Sequence, residues 1–474
     1  MNFVTTQFVL FFLPVLWLCW YTRCGRAAHL LVLCLCNYYF YAQTGGWGLA
    51  VLVAVSATAY ASGMLLARAR GKKRFQTVLV AVGICVLLLA LFKYHDFMLD
   101  MTKDLGVALG LSDQVKGLMD SNFVSIAGIS FFTFQAISYI VDVYRGDIKK
   151  PYGLLEVFAY ISFFPTIMSG PIMRAADFVQ QIDRPITDTA EIQDGFLLIL
   201  SGLFKKVVLS SYLSEHIVRS VFAAPENYSS AAIAVGIYGY AIQIFCDFSG
   251  YTDLAIGVGR LLGYRLPPNF DSPYLATSLT AFWRRWHISL STWLRDYLYI
   301  SLVGNRNGRT YINLMLTMLI GGLWHGGAWT FIIWGALHGL GLVVNHAFTA
   351  YQRKHPALGL QQSRAWKFFA WLLTFHFVCL LWVFFRADTA ELACIVLAKL
   401  AECSTEGSGF PLFALAAIGM GFCLQLWGKN VMALCSRWQA VLPWQAQGVG
   451  VGLAGSIIMA MGPEGVLPFI YFRF

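Results

Sequence analysis

The sequence predicts an all-α integral membrane protein, a bundle of about 11–14 transmembrane and re-entrant helices. Three observations lead to this prediction. The chain of 474 residues is 58% hydrophobic and only 12% charged, whereas soluble domains carry about 25% charged residues. Its mean hydropathy is +0.63. Apolar runs recur from one end of the chain to the other, and no linker or low-complexity tract separates them.

The candidate spans are these apolar runs, since crossing the hydrocarbon core takes about 17–25 residues. Several runs are shorter than that, which is typical of tilted, re-entrant or bundle-buried helices. We therefore expect one integral membrane domain over residues 1–474, with N-terminal spans in 1–120, a central core in 121–350 and C-terminal spans in 351–474. The runs cover residues 8–21, 27–42, 47–67, 75–92, 123–143, 195–211, 231–245, 310–324, 330–346, 365–385, 411–427 and 449–461.

Basic residues follow alternate apolar runs, and this pattern predicts the orientation of the chain. Cytoplasmic loops carry an excess of Lys and Arg, so we expect a periplasmic N-terminus and cytoplasmic loops after the first, third and fifth runs. The first 20 residues lack the features of a cleaved signal peptide, so we expect a retained span. The net charge of +10 then reflects loops that face anionic lipid and does not indicate nucleic-acid binding. The basic residues concerned are Arg23, Arg26, Arg68, Arg70, Lys72, Lys73, Arg74, Arg145, Lys149 and Lys150.

The cysteine and motif content excludes several kinds of site. The 11 Cys are odd in number, lie mostly in apolar runs and include no Cys-x-x-Cys pair, so we expect neither a disulfide framework nor a metal site. Walker A, His-Glu-x-x-His and Gly-x-Ser-x-Gly sequences are also missing. We therefore expect no bound cofactor.

The stretch 265–309 interrupts the apolar pattern and is rich in arginine and tryptophan. Its aromatic residues recur at helical spacing, as in a helix that lies at the membrane interface. Two interpretations stay open: an anchor for the bundle, or a surface whose forked guanidinium groups bind a phosphorylated cytoplasmic donor. The donor-binding hypothesis assigns this role to Arg284, Arg285, Arg295 and Trp286.

Ionisable residues inside apolar runs are costly and are often functional. His325 is the sharpest case, because it lies in the sequence GGLWHGGAW between two apolar runs, where glycine permits a broken helix and close approach of a substrate. A core histidine bound to a backbone carbonyl is the alternative. For His287 the alternative is an interface anchor, and for His338 it is a packing residue.

Other polar side chains beside the runs are candidates for lining a passage through the bundle. Asp247 and Ser249 either cap a helix or line such a passage. Lys205 and Lys206 interrupt an apolar run, and we expect both to extend towards the interface. Together with the flanking aromatic residues, the predicted tunnel-lining set is Trp324, Trp329, Asp247, Ser249 and His338.

Several segments together identify a family. The Arg-Trp-His and Trp-His-Gly segments occur in this order, and their histidines, His287 and His325, lie 38 residues apart. The sequence resembles the membrane-bound O-acyltransferase family over nearly its whole length, in particular the branch of the alginate O-acetyltransferase membrane subunit and its relatives in cellulose acetylation. The matching segments are FFPTIMSGP at 163–171, DFSGYTDLA at 247–255, FWRRWHISLS at 282–291, WLRDY at 293–297, GLWHG at 322–326, FFRA at 384–387 and PFIYF at 468–472.

The resemblance implies a fold, an activity and a site. It implies a helical bundle around a central tunnel, in which His325 matches the family's catalytic histidine and His287 the second histidine near the cytoplasmic mouth. The implied enzyme moves an acetyl group from a cytoplasmic thioester, acetyl-CoA, across the bacterial inner membrane for O-acetylation of an exopolysaccharide, alginate or cellulose. The implied partners are a periplasmic acetyltransferase or other polysaccharide-modifying protein, and an exopolysaccharide synthase complex.

Two mechanisms fit an imidazole in a water-poor passage. A neutral His325 acts as general base on the acceptor hydroxyl, which is worth about 10²–10⁴-fold in rate, or it carries the acetyl group for a time. The sequence leaves both open. It also leaves open a protein of another class, an exporter or flippase of a polysaccharide or lipid-linked intermediate, which would need no thioester and for which inverted repeats are typical.

Overall fold

Helices make up the regular structure of the protein. The computed structural model describes residues 3–108, 126–301, 309–356 and 363–463. Within these residues the regular structure is helical, and an isolated bridge joins Tyr228 and Ser408. The predicted all-α fold is confirmed. The segment 468–472, which contributes to the family resemblance, lies outside the described residues.

The chain forms two compact units. The first comprises Met1–Thr187 and Val258–Pro267, and the second comprises Asp188–Gly257 and Pro268–Phe474. These boundaries do not coincide with the predicted subdivisions at 120/121 and 350/351, and the assignment of residues 1–474 to a single functional domain stays a prediction. Every site residue predicted from the sequence belongs to the second unit.

The helices of the first unit follow the predicted apolar runs closely. The runs at 8–21, 27–42, 47–67 and 75–92 become α1 to α4, and α5 follows between the fourth and fifth runs. The helices are α1 (Thr6–Tyr21), α2 (Arg26–Ala42), α3 (Gly48–Arg68), α4 (Lys72–Lys93), α5 (His95–Ala108), α6 (Ile129–Arg145), α7 (Leu154–Ser162), α8 (Phe164–Ile167) and α9 (Ala175–Asp183).

The second unit contains the longest helices of the part of the chain that the structure describes. Its first helix changes twice from α to π geometry, at Phe204–Ser210 and Ser214–Val218, and a third π segment, Leu294–Tyr299, follows α13. The helices are α10 (Thr189–Ala223), α11 (Ser230–Leu261), α12 (Leu279–Trp283), α13 (Ile288–Trp293), α14 (Thr310–His325), α15 (Trp329–Lys354), α16 (Arg364–Arg386), α17 (Ala390–Ala401), α18 (Leu412–Val441) and α19 (Trp444–Met461). The last turn of α11 belongs to the first unit.

Among the described residues, seven helices are long and apolar enough to cross a membrane. They are α3, α4, α10, α11, α15, α16 and α18. The protein is therefore a multi-pass membrane protein, as predicted. The larger number of about 11–14, which includes re-entrant helices, stays a prediction.

Basic residues of the first unit serve packing as well as orientation. The guanidinium of Arg23 lies 5.0 Å from the ring centre of Trp20 and 5.2 Å from that of Tyr264. Arg26, at the start of α2, forms ion pairs with Glu156 and Asp183. The first cytoplasmic loop predicted from charge is thus tied to α7 and α9.

In the second unit, α10 and α11 cross so closely that their backbones touch. A Cβ added to Gly202 would lie 2.6 Å from the carbonyl oxygen of Gly250, which is closer than real Cβ atoms approach a backbone oxygen. Small residues allow such contacts between membrane helices, where van der Waals packing drives association. The crossing brings two lysines of α10 within reach of carboxylates on α11.

Two ion pairs join α10 to α11 beside this crossing. Lys205 Nζ lies 2.7 Å from Asp253 Oδ2, and Lys206 Nζ pairs with Asp247 Oδ1. The Lys206 pair is buried, with side chains 3% and 4% exposed. The expectation that these lysines extend to the interface is therefore wrong, because α11 supplies a carboxylate for each of them and satisfies the charge inside the bundle.

We expect Lys206→Met to lower the free energy of unfolding by about 3–5 kcal/mol, because it leaves the buried Asp247 carboxylate without its ammonium partner. Lys205→Met is the matched control and costs less, since its pair has side chains 15% and 16% exposed. Thermal unfolding of the purified variants in detergent measures both changes. An equal or larger loss for Lys205→Met would contradict this reading of the two pairs.

Candidate active site

His325 is the last residue of α14, and a close approach between two helices fixes its position. A Cβ added to Gly322 would lie 2.4 Å from the carbonyl oxygen of Phe331, and one added to Gly335 would lie 2.5 Å from that of Met318. The backbones of α14 and α15 therefore touch just before and just after the turn that joins them. The turn places His325 inside the unit, with 3% of the residue exposed.

Aromatic rings from three helices surround the imidazole of His325. The ring centres of Trp324, Trp334 and Phe385 lie 5.0, 5.1 and 5.0 Å from it, at interplanar angles of 78°, 87° and 75°. Such edge-to-face contacts are the preferred arrangement of aromatic pairs. The sequence predicts the contact with Trp324, whereas Trp334 of α15 and Phe385 of α16 come from the fold.

His287 lies in the turn before α13 and is fully buried. Its backbone φ is 43°, a left-handed conformation that is uncommon for a residue with a side chain. Its ring centre lies 4.5 Å from that of Phe248 and 6.0 Å from that of Trp324. Burial lowers the pKa of His287 to about 3, so the ring is neutral at physiological pH.

The structure therefore brings the two predicted histidines to one indole. Trp324 contacts His325 at 5.0 Å and His287 at 6.0 Å between ring centres. The two histidines lie 38 positions apart in sequence, and a π segment and all of α14 except its last residue come between them. This common contact is the geometric basis of the candidate active site.

His338 lies four residues after Trp334 on α15 and packs against the same ring. Its ring centre is 4.7 Å from that of Trp334 and 5.1 Å from that of Trp283. Trp334 thus contacts both His338 and His325. Neither ring nitrogen of His338 has a hydrogen-bond partner among the described residues. A tunnel-lining role for His338 stays a prediction.

The other predicted tunnel-lining residues occupy different environments. Trp324 is buried with 2% of its surface exposed, whereas Trp329 is 57% exposed at the start of α15. Asp247 pairs with Lys206, and Ser210 Oγ donates to the same carboxylate oxygen at 3.4 Å. Ser249 is buried, and its hydroxyl has no partner within the part of the chain that the structure describes. Asp247 therefore has a structural use that the sequence does not reveal.

The predicted donor-binding residues divide into an exposed group and a buried one. Arg284 and Arg295 are exposed, and Arg285 is half-buried. Arg295 Nε lies 2.7 Å from Asp296 Oδ1, so its charge is partly compensated. Trp286 is 1% exposed and packs on Phe282 and Trp382, so it supports the arginine-bearing segment from inside.

Within the described ranges, no cluster of three or more His, Cys, Asp or Glu side chains is arranged to hold a metal ion. Imidazoles are the side chains of this site that are suited to proton transfer, and neighbouring groups orient them. Sequence reasoning missed one such group, Asn269, whose side chain contacts His287 at 3.2 Å. No motif or spacing in the sequence pairs this asparagine with a histidine 18 residues later.

Comparison with known proteins places the chain among acyltransferases. The membrane-bound O-acyltransferase family matches residues 33–385. A probable alginate O-acetylase of Pseudomonas putida is 38% identical over 400 residues, which is 83% of this chain and 79% of that protein. A probable alginate O-acetylase of Pseudomonas aeruginosa is 41% identical over 317 residues, covering 66% of this chain and 58% of that protein.

A relative with a different named substrate also matches. The peptidoglycan O-acetyltransferase of Helicobacter pylori is 37% identical over 347 residues, which is 66% of this chain and 62% of that protein. The family resemblance inferred from the motifs is confirmed by these matches, as is the prediction of an acyltransferase. Both histidines of the candidate site lie inside the matched range.

We expect Gly322→Ala to destabilise the hairpin of α14 and α15 by about 1–3 kcal/mol, because the new Cβ overpacks against the backbone of α15. Gly321→Ala is the matched control, since its Cβ would meet only Leu294 Cδ1 at 3.3 Å and alanine favours the helix. Thermal unfolding and tryptophan fluorescence of the purified variants test this. Equal stability of the two variants would show that the close approach does not hold the hairpin.

Proposed function

This chain belongs to the membrane-bound O-acyltransferase family, and we propose that it moves an acetyl group from cytoplasmic acetyl-CoA across the bacterial inner membrane for O-acetylation of an exopolysaccharide. The observation that carries the proposal is the contact of His325 and His287 with one indole, inside a shell of aromatic side chains. Buried imidazoles that share one aromatic neighbour are suited to proton transfer during acyl transfer.

We assign the general-base role to His325. The acceptor hydroxyl gives its proton to the imidazole while its oxygen bonds to the thioester carbonyl carbon. The tetrahedral intermediate then expels the thiolate as the C–S bond breaks, and the thiolate takes the proton from the imidazolium. The products are an O-acetyl ester and the free thiol of CoA. The aromatic shell of Trp324, Trp334 and Phe385 excludes water that would otherwise hydrolyse the thioester.

The arginines of the stretch 265–309 supply the binding surface for the donor in this proposal. Arg284 and Arg285 lie directly before Trp286 and His287 in sequence, so the same turn carries the basic groups and the second histidine. Guanidinium groups bind phosphate through paired hydrogen bonds. The phosphates of acetyl-CoA stay at this surface while the slender thioester arm reaches inwards through a central tunnel.

The final acceptor of the acetyl group belongs to an extracellular polymer in this proposal. Two relatives are named for O-acetylation of alginate and of peptidoglycan, and cellulose is a further candidate from the motif resemblance. We propose that a periplasmic acetyltransferase receives the acetyl group and that an exopolysaccharide synthase complex provides the polymer. The alternation of basic loops supports a periplasmic N-terminus.

We expect His325→Ala to lower acetyl-CoA turnover by about 10²–10⁴-fold, because it removes the general base. The measurement is release of CoA thiol in membranes of the producing cell, together with the acetyl content of the secreted polymer. His346→Ala is the matched control, since His346 is exposed on α15 and contacts Tyr311. Equal turnover in His325→Ala and the wild type would overturn the proposed function.

The same experiment separates the alternatives. Label from acetyl-CoA that remains on the wild-type protein after acid quenching, and is absent from His325→Ala, would identify the carrier route in place of the general base. Polymer export that depends on the protein without any release of thiol would indicate an exporter or flippase.

We expect the double variant Arg284→Gln, Arg285→Gln to raise KM for acetyl-CoA about tenfold, a loss of about 1.4 kcal/mol in binding. The physical reason is the loss of two cationic groups that bind the donor phosphates. Raising the ionic strength should increase KM in the wild type and have less effect in the variant. Arg353→Gln, at an exposed arginine near the end of α15, is the control. An unchanged KM in the double variant would remove these arginines from the donor site.

A further inference from the structure

We propose that Asn269 is a positioning residue that holds His287 as the Nδ1–H tautomer and leaves Nε2 as the atom that accepts a proton. Only the use of that lone pair in acetyl transfer rests on the proposed function. The tautomer itself follows from contacts within the second unit.

The side-chain oxygen of Asn269 accepts three hydrogen bonds from the turn that carries His287. The donors are Ser289 N at 3.0 Å, Ser289 Oγ at 2.9 Å and the Nδ1 atom of His287 at 3.2 Å. Asn269 is 1% exposed, Ser289 is 4% exposed and His287 is fully buried. The network is therefore shielded from solvent. In this buried environment, leaving any of these polar groups without its hydrogen bond is costly.

One of these bonds fixes the identity of the others. The oxygen and nitrogen of an asparagine amide have nearly the same shape, so their assignment depends on the partners. The backbone N–H of Ser289 can only donate, which means that the amide atom 3.0 Å away is the oxygen. An amide oxygen only accepts, so the Nδ1 atom of His287 beside it carries the proton. In the neutral ring Nε2 then holds the lone pair.

The backbone around these two residues keeps the ring in register with the amide. Ile288 N donates to the carbonyl oxygen of Asn269 at 3.0 Å, and Asp271 N donates to that of Arg285 at 2.9 Å. His287, between these two bonds, holds a φ of 43°. A residue other than glycine keeps a positive φ only where several surrounding contacts hold it there. Such residues are typical of functional sites.

The surroundings of His287 favour the neutral ring whose tautomer Asn269 selects. Its ring neighbours include Phe248 and Trp324, which carry no charge. The titratable side chain that shares Trp324 with it is His325. In this arrangement His287 can accept a proton or a hydrogen bond at Nε2, and it can donate there only after becoming an imidazolium. The two histidines thereby have different roles in the proposed site: His325 is the general base, and His287 offers an acceptor at Nε2.

The first test reads the tautomer directly and does not require activity. Solid-state NMR of the full chain in lipid bilayers, with ¹⁵N-labelled histidine and assignment by His287→Gln, reports which ring nitrogen of His287 is protonated. We expect protonated Nδ1 in the wild type and loss of that state in Asn269→Leu, a variant of similar size without the acceptor. A protonated Nε2 in the wild type, or an unchanged tautomer in Asn269→Leu, would overturn the proposal.

The second test measures acetyl-CoA turnover. We expect Asn269→Leu to lower kcat by about 10–100-fold with little change in KM, as loss of an orienting partner does at other imidazole sites. Asn269→Asp preserves the three accepted bonds and favours the imidazolium. It should therefore retain activity at high pH and move the acidic limb of the kcat profile to higher pH, since a raised pKa makes His287 take up a proton, and lose its Nε2 lone pair, at a higher pH.

A matched control uses another asparagine of the second unit. Asn345 Oδ1 accepts from Thr280 N at 3.2 Å and from Thr280 Oγ1 at 2.8 Å, without a histidine in the pair. Asn345→Leu and Asn345→Asp should leave the acidic limb in place.

If Asn269→Leu does not fold, Asn269→Asp decides the question, because an unmoved acidic limb in a folded variant contradicts the positioning role. Absence of turnover in the wild type would defeat the proposed function, and the NMR result would still decide the tautomer.

Discussion

Contact between the backbones of α14 and α15 is the constraint on which the candidate site depends. Gly322 and Gly335 allow the two helices to touch on either side of a tight turn. The turn then ends α14 at His325 inside the unit, and it brings Trp334 against the imidazole. In a bilayer, where apolar burial between helices provides little driving force, this kind of van der Waals contact determines helix pairing. The position of the histidine is a consequence of the pairing.

The aromatic side chains around this turn link the two histidines. Trp324 contacts both His325 and His287, and Phe385 of α16 closes another side of the His325 ring. Large rings in edge-to-face contact with an imidazole leave little room for water beside it. An acyltransferase that handles a reactive acyl donor in a membrane has a clear use for such an environment.

Buried polar groups elsewhere in the second unit follow the same requirement for internal partners. Lys206 forms an ion pair with Asp247 at the crossing of α10 and α11, and the amide oxygen of Asn269 accepts three hydrogen bonds. Each arrangement provides hydrogen-bond or charge partners for buried polar groups. Lipid and apolar side chains cannot provide such partners. Their effects differ, because the ion pair joins two helices whereas the amide selects one tautomer of a ring. Burial and hydrogen bonding alone therefore do not separate a polar residue that supports the fold from one that acts on the candidate site. The identity of its partner makes that distinction.

The sequence by itself determined the membrane class and the helical fold, and it singled out the two histidines of the candidate site. Hydropathy, arginine-rich loops and the segments around His287 and His325 are local properties of the chain, and they survive in any fold that keeps the helices. The tertiary structure decided which residues meet. Trp329 is exposed at the surface and Trp286 is buried in the core. Asp247 forms an ion pair with Lys206, and Asn269 contacts His287. Those pairings depend on helix crossings and turns between residues distant in sequence, and a one-dimensional pattern does not encode them.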